Sequence, residues 1–290
     1  MKSYILHLRP RSWVIVSLHF CAGALVASGR DLFTVANILK LICGSAIWSI
    51  CLNGGTLAFN SAFDRDIGDI GYLDNPPPAP KYLAYFGLFF MALGLVLTGM
   101  FLAQWFFISY LTCLILSFIY SIPPIRLKSK AGFDVVINGI GYGALTYFGG
   151  WVLMVDKPTV ISLLLSFGFG LLFASFYPLT QIYQYDDDRK NKDQTLTVFL
   201  GKRNALYFSL IFNILSFIIF LTAIIIQQIN FMKYTLLLLP FFLWMVILCP
   251  WIQKMDSYNE KKGMYRALNV WGITDICVIL IFSDLIWKSF

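Results

Sequence analysis

Long apolar runs, each about the length needed to cross a bilayer as a helix, alternate along this chain with short polar loops. Nine such runs are expected to span, at residues 12–29, 35–59, 82–101, 103–121, 134–154, 159–182, 204–227, 233–253 and 267–287. The third and fourth almost touch around Gly99–Gln104. Glycine and proline inside the runs (Gly139, Gly141, Gly143, Pro178) are tolerated in membrane helices and allow close packing or kinks. The pattern predicts an all-α, polytopic membrane protein of nine transmembrane helices around a central cavity, built as one domain over residues 1–290.

Composition agrees with that class. Hydrophobic residues make up 59% and charged residues 13%, with a mean hydropathy of +0.74. A soluble domain carries roughly 25% charged residues, so this chain lacks the polar surface to face water all round. The basic residues set orientation. With the amino terminus and the loops after spans two, four, six and eight on one side, that side holds seventeen of the 22 Lys and Arg. The other keeps Arg30, Lys40, Lys157, Lys233 and Lys288. This bias puts the amino terminus in the cytoplasm and the carboxyl terminus outside. The net charge of +7 then reflects topology and contact with anionic membrane lipid, and the dispersal of the basic residues between spans argues against nucleic acid as a partner. No small-residue cleavage site follows Met1–Arg11, so no cleavable signal peptide is expected. The expected location is integral and multi-pass, in the cell (inner) membrane.

Within this apolar background stand two acidic clusters, Asn60-Ser-Ala-Phe-Asp64-Arg-Asp66-Ile-Gly-Asp69 and Asp186-Asp187-Asp188-Arg189-Lys-Asn-Lys-Asp193. They follow spans two and six and so share the cytoplasmic side. Carboxylates crowded at a membrane-helix end are costly unless neutralised, and a divalent metal does this well. Asn60 and Asp64 are four residues apart and project from one helix face, and Gln184 and Asp188 repeat that spacing. Asp66 points away on a continued helix, but Gly68 and Gly71 could unwind the chain and return Asp66 or Asp69. Magnesium takes oxygen ligands and usually binds one or two carboxylates together with phosphates, so two such sets suit Mg2+ ions around a diphosphate. The loop after span four, Tyr120-Ser-Ile-Pro-Pro-Ile-Arg126-Leu-Lys128-Ser-Lys130, lies on the same side and offers Arg126 and Lys128 to phosphate. The six cysteines all fall within apolar spans without CxxC spacing, which suggests neither zinc nor disulfides. His7 and His19 are isolated in sequence, which argues against histidine catalysis.

Taken together, these residues resemble the UbiA superfamily of intramembrane prenyltransferases. The likeness rests on Leu8-Arg9-Pro10 before Trp13, on Asn60 and Asp64, on the Tyr120–Lys128 stretch leading to Asp134 and Asn138, and on Asp188 followed by Asp193-Gln-Thr-Leu-Thr-Val-Phe-Leu-Gly201. It covers residues 8–205 through motifs and the rest through span count. The chain departs from the superfamily pattern in two places. Residue 68 is Gly where a third metal-binding Asp belongs, so Asp66 or Asp69 must substitute. Residue 184 is Gln rather than Asp, which leaves Asp187 and Asp188 as ligands. Asn75-Pro-Pro-Pro-Ala-Pro-Lys81 replaces an Arg-containing stretch, with Lys81 in the Arg's place.

The resemblance implies prenyl transfer from an allylic prenyl diphosphate to a lipophilic acceptor, with release of diphosphate. Asn60, Asp64, Asp66, Asp187 and Asp188 would hold Mg2+. Asp64, Asp188, Arg126 and Lys128 would act in catalysis, and Asn60, Lys81, Tyr120, Asp134, Asn138, Gln184 and Arg189 would complete the donor site. Tyr120, Tyr142, Tyr147, Phe148, Tyr177 and Tyr183 are candidate walls, since aromatic faces stabilise an allylic cation and a membrane-buried pocket keeps it from water. The alternatives are a membrane terpene cyclase using the same ionisation, and an ion-coupled transporter with a path through Asp64, Asp134 and Asp275. The bland reading of Asp275 is a structural partner for Asn269 or a backbone group. The stretch Lys254–Arg266 reads as a solvated connector.

Overall fold

The computed structural model describes residues 1–64 and 70–283. Among them, eight helices are long and apolar enough to cross a membrane. We label the long helical stretches α1 (Pro10–Ser28), α2 (Val35–Phe63), α3 (Leu83–Phe101), α4 (Gln104–Ser121), α5 (133–155), α6 (Val160–Tyr183), α7 (Lys202–Ile226), α8 (Tyr234–Gln253) and α9 (Glu260–Phe282). The expected fifth span, α5, is a composite: Phe133–Asn138, then wide π-type turns over Gly139–Leu145, then Thr146–Val155. Each piece alone is short, but they run on without a break. A second π segment, Ile47–Gly54, interrupts α2.

Local chemistry sets the ends. Pro10 takes the first turn of α1, where its missing N–H is no loss. Thr34 caps α2 by accepting from the Asn37 N–H, and Thr159 and Ser162 form a reciprocal capping box on α6. Lys254–Arg266, expected as a solvated connector, is largely helical. The Asn259 side chain accepts from the Lys262 N–H, and α9 begins at Glu260, inside that stretch. Gly263 sits so close to Trp251 that an added Cβ would lie 2.7 Å from the indole, which seats this charged first turn against α8.

Helices in lipid gain little from hydrophobicity against one another, so close packing and interhelical hydrogen bonds hold the bundle. At the α1–α5 crossing a Cβ on Gly23 would lie 1.9 Å from the Tyr147 carbonyl oxygen, and one on Gly150 1.8 Å from that of Phe20. Only glycine allows that approach. Ser175 and Ser216 tie α6 to α7 by donating to the carbonyls of Ser209 (2.7 Å) and Gly168 (2.8 Å). Apolar side chains such as Ile211, Ile218, Phe242 and Val246 face outward, as a lipid boundary requires.

The loops after α2, α4, α6 and α8 meet at one end of the bundle. Gln194 N–H donates to the Ser129 carbonyl (3.2 Å), Lys261 reaches Asp74 (2.9 Å), and Lys202 reaches Glu260 (2.7 Å). Those loops carry the two acidic segments and the Arg126–Lys130 stretch.

Candidate functional site

A cavity of about 800 Å³ opens at that end and runs down between the helices. Its mouth is lined by Asn60, Asp64, Arg126, Lys128, Gln184, Asp187, Asp188 and Asp193. The remaining walls mix aliphatic and polar side chains with the aromatic rings of Tyr120, Tyr142, Phe173, Phe176, Tyr177, Tyr183, Trp48 and Trp271.

The last turn of α2 builds the first acidic wall. Asn60 and Asp64 share a face as their spacing predicts, with Asn60 Nδ2 donating to Asp64 Oδ2 at 2.8 Å. Ser121 of α4 donates to Asn60 Oδ1 (3.1 Å), which fixes the amide orientation. Asp64 Oδ1 accepts from Lys128 Nζ and lies 3.7 Å from the Arg126 guanidinium. Arg126 also grips Asp193 through both terminal nitrogens. Its left-handed backbone (φ 33°) turns the loop so that Arg126 and Lys128 both face the cavity.

The second wall is built differently from its spacing. α6 ends at Tyr183, Gln184 occupies a joint, and a short helix Tyr185–Lys190 follows. Gln184, Asp187 and Asp188 nevertheless all reach the cavity, and Thr195 Oγ1 donates to Asp188 Oδ2 (3.2 Å). Asp187 pairs with exposed Lys190 at 3.5 Å.

Several expected residues lie elsewhere. Lys81 is exposed over the Tyr82 ring, and Arg189 packs over Tyr185; neither lines the cavity. Asp134 is fully buried away from it. Its Oδ2 accepts from Gln181 Nε2 (2.6 Å) and the Leu196 N–H (2.7 Å), tying α5 to α6 and to the segment after the second acidic cluster. Asn138 does line the cavity, while its amide donates to the Asp134 carbonyl (2.8 Å). Tyr147 and Phe148 belong to the packed core and not to the cavity wall. Asp66 and Asp69, the candidates to replace the missing third carboxylate, lie outside the described residues.

Three features were hidden in the sequence. Arg9, only 8% exposed, lines the cavity from the left-handed residue (φ 48°) before α1. Its guanidinium donates to Ser61 Oγ (3.0 Å) and weakly to the Gly71 carbonyl (3.4 Å), and it has no carboxylate partner among the described residues. Its sequence signal was the Leu8-Arg9-Pro10 stretch, which carries part of the family resemblance but assigned Arg9 no place in the site. Tyr120 and Tyr177, from α4 and α6, place their hydroxyls 2.5 Å apart. Asp275 pairs with His19 at 2.7 Å, and not with Asn269 or a backbone group; His19, isolated in sequence, is therefore partnered in space. The other ring nitrogen of His19 donates to the Gly143 carbonyl (2.8 Å), within the π turns of α5. With Asp134 and Asp275 each held in separate internal bonds, no file of acids runs through the bundle among the described residues.

Among the described residues no three His, Cys, Asp or Glu side chains converge as a ready-made metal site. The donor chemistry nonetheless fits a hard divalent cation. The groups available are carboxylate and amide oxygens, and a diphosphate lodged between them would complete the oxygen shell. Tyr72, from the loop after α2, also lines the cavity, and burial pushes its phenol well above the ordinary range, so it remains a hydrogen-bond donor.

Comparison with known proteins gives a consistent answer. A sequence model of the UbiA prenyltransferase family matches residues 17–271. The chloroplastic chlorophyll synthase of Oryza sativa subsp. japonica is 28% identical over 214 residues, covering 68% of this chain and 54% of the relative. The bacteriochlorophyll synthase 33 kDa chain of Cereibacter sphaeroides is 27% identical over 154 residues, covering 51% and 50%. The chain thus spans about half the length of the curated relatives it matches. Among solved structures, a UbiA homologue from Archaeoglobus fulgidus bound to DMAPP and Mg2+ superposes with a TM-score of 0.71 at 18% identity, covering 96% of this chain and 99% of that one. A digeranylgeranylglyceryl phosphate synthase structure gives 0.71 at 18%, covering 98% and 99%. At such identities these two likenesses speak to the fold.

Proposed function

The chain belongs to the UbiA prenyltransferase family, and from that premise we propose that it moves a prenyl group from an allylic prenyl diphosphate to a lipophilic acceptor, releasing diphosphate. The observation that carries this reading is the two-ended cavity. Acids and bases crowd its mouth, and aromatic rings line its depth.

The charges at the mouth are arranged for exchange. Lys128 and Arg126 sit on Asp64 and Asp193, so the carboxylates are neutralised from within. On binding, phosphate oxygens would take the two cations, and a divalent cation would take the carboxylates. Asn60, Asp64, Asp187, Asp188 and Gln184 would hold Mg2+, whose chemistry is to neutralise charge growing on the leaving diphosphate. Arg126 and Lys128 would bind that charge directly from the opposite wall. As the allylic carbon–oxygen bond lengthens, the rings of Tyr142, Phe173 and Tyr177 would face the developing cation. Enclosure between the helices would keep bulk water from it.

The acceptor would enter beside Arg9. A buried guanidinium without a carboxylate partner among the described residues suits an acceptor with an anionic group, and the chlorophyll synthase relatives favour a chlorophyll-type ring. This observation also favours transfer over cyclisation, which needs no second substrate. We further propose that the mouth faces the cytoplasm, because its loops carry most of the Lys and Arg.

Purified protein supplied with Mg2+, a prenyl diphosphate and a panel of acidic lipophilic acceptors should release pyrophosphate and form a coupled product. Asp64→Ala and Asp188→Ala should each abolish turnover without loss of folded protein. Turnover that survives EDTA would sink the metal-assisted reading, and a cyclised hydrocarbon without coupling would replace transfer by cyclisation.

A further inference from the structure

Tyr120 and Tyr177 form a hydroxyl pair whose proton count is uneven. Each phenol carries one O–H and two acceptor lone pairs. Their mutual bond, at 2.5 Å, consumes one O–H and one lone pair. Both tyrosine side chains line the cavity and are only partly buried. One O–H is therefore left to face the cavity.

The position of that O–H gives it a use. Tyr120 is the residue before Ser121, whose hydroxyl anchors Asn60, so it stands just below the first acidic wall. Tyr177 lies on α6 six residues before its end at Tyr183, roughly 9 Å along the axis at 1.5 Å per residue, which sets it below the second. The pair thus bridges α4 and α6 where the charged mouth gives way to the aromatic walls. A diphosphate held at the mouth would present the oxygen that links it to the prenyl carbon at that boundary.

We infer that the Tyr120–Tyr177 pair is a catalytic hydrogen-bond donor to this bridging oxygen. The inference rests on the prenyl-transfer reading. In the step, the allylic carbon–oxygen bond breaks and its electron pair stays on the oxygen, which becomes an anionic diphosphate oxygen. The free tyrosine O–H donates to that oxygen throughout, and no proton changes hands. The donor already bonded to its partner polarises the second hydroxyl, so the pair acts as a unit. In the intact donor the same oxygen is a weakly basic ester oxygen. The hydrogen bond therefore strengthens as the bond breaks, which is the condition for raising kcat rather than affinity.

Tyr120→Phe, Tyr177→Phe and the double variant test this in the full-length protein. The probes are magnesium pyrophosphate, by titration calorimetry, and geranyl diphosphate, by turnover. Loss of one such donor typically costs about 10²-fold in kcat, while the KM for geranyl diphosphate should stay within about twofold. Pyrophosphate, which bears the anionic oxygen, should bind roughly tenfold more weakly to each single variant. The double variant should be little worse than the poorer single one, because the pair works together. The inference is overturned if the variants bind pyrophosphate as tightly as wild type, or if donor KM rises in step with pyrophosphate Kd. A wild-type protein that binds magnesium pyrophosphate but consumes geranyl diphosphate with no acceptor would overturn prenyl transfer instead, and the donor role would then stand or fall on the pyrophosphate affinities alone.

Discussion

Replacing Asp275 by leucine should destabilise the bundle by an amount that can be worked from proton positions. The Gly143 carbonyl can only accept, so His19 must carry a proton on Nε2 to make its 2.8 Å bond. One further proton then lies between Nδ1 and Asp275 at 2.7 Å, and the pair is neutral whichever atom holds it. Asp275→Leu keeps the Gly143 bond but leaves Nδ1 as a buried acceptor with nothing to accept. An interhelical hydrogen bond in a membrane contributes about 0.6–1.7 kcal/mol. Stranding the remaining group adds about 1–3 kcal/mol. The expected loss is thus roughly 2–5 kcal/mol, against a total stability of order 5–15 kcal/mol. Asp275→Asn should lose less than about 1 kcal/mol, since its amide N–H can donate to Nδ1 at the same distance. Unfolding in mixed micelles with increasing dodecyl sulfate would measure both, and the ¹⁵N shifts of His19 would report its tautomer. If the asparagine variant falls as far as the leucine variant, or if leucine is harmless, this proton assignment is wrong.

Two further substitutions separate roles that look alike in sequence. Arg9→Gln should raise KM for an anionic acceptor by about 10–100-fold, the worth of one charge-assisted hydrogen bond, with kcat changed far less; acceptor titrations at saturating donor would check it. Asp134→Ala should instead act on folding, because it removes the anchor for Gln181 and the Leu196 N–H; the expected result is a loss of about 3 kcal/mol or more and of monodisperse protein on size exclusion, whereas Asp134→Asn should recover part of both.

Eight of the nine expected spans were legible because lipid demands apolar runs of fixed length, and most of their ends fall within a few residues of the structure; the fifth is the composite α5. The start of α9 was not, because Glu260, Lys261, Lys262 and Arg266 mask a helix whose signals are local: a capping Asn259 and a packed Gly263. At the site, the four-residue spacing of Asn60 and Asp64 became a real hydrogen bond because that turn is helical. The same spacing at Gln184 and Asp188 crosses the joint between two helices, and the side chains converge on the cavity by a different route. His19 with Asp275, Tyr120 with Tyr177, and the burial of Arg9 away from any described carboxylate depend on which helices are neighbours. Helix adjacency is not carried by any local pattern, so one sequence read alone gives no sign of these pairs.

Internal neutralisation at the mouth leads to a prediction with two opposite signs. Lys128 Nζ is bonded to Asp64 Oδ1, while Arg126 serves both Asp64 and Asp193. A divalent cation that uses Asp64 must displace Lys128, so in metal binding the lysine competes. In diphosphate binding it assists. Lys128→Met should therefore tighten the metal and loosen the donor. Removing a unit charge about 5 Å from a divalent ion, with near-aqueous screening, is worth about 1–2 kcal/mol, or roughly tenfold in affinity for Mn2+. Losing a charge-assisted phosphate contact should weaken donor binding by about 10–100-fold. Titrating Mn2+ alone and then a prenyl diphosphate at fixed Mn2+ separates the two. If both affinities fall together, Lys128 holds the carboxylates in place for the metal rather than competing with it, and the exchange of partners at the mouth does not occur.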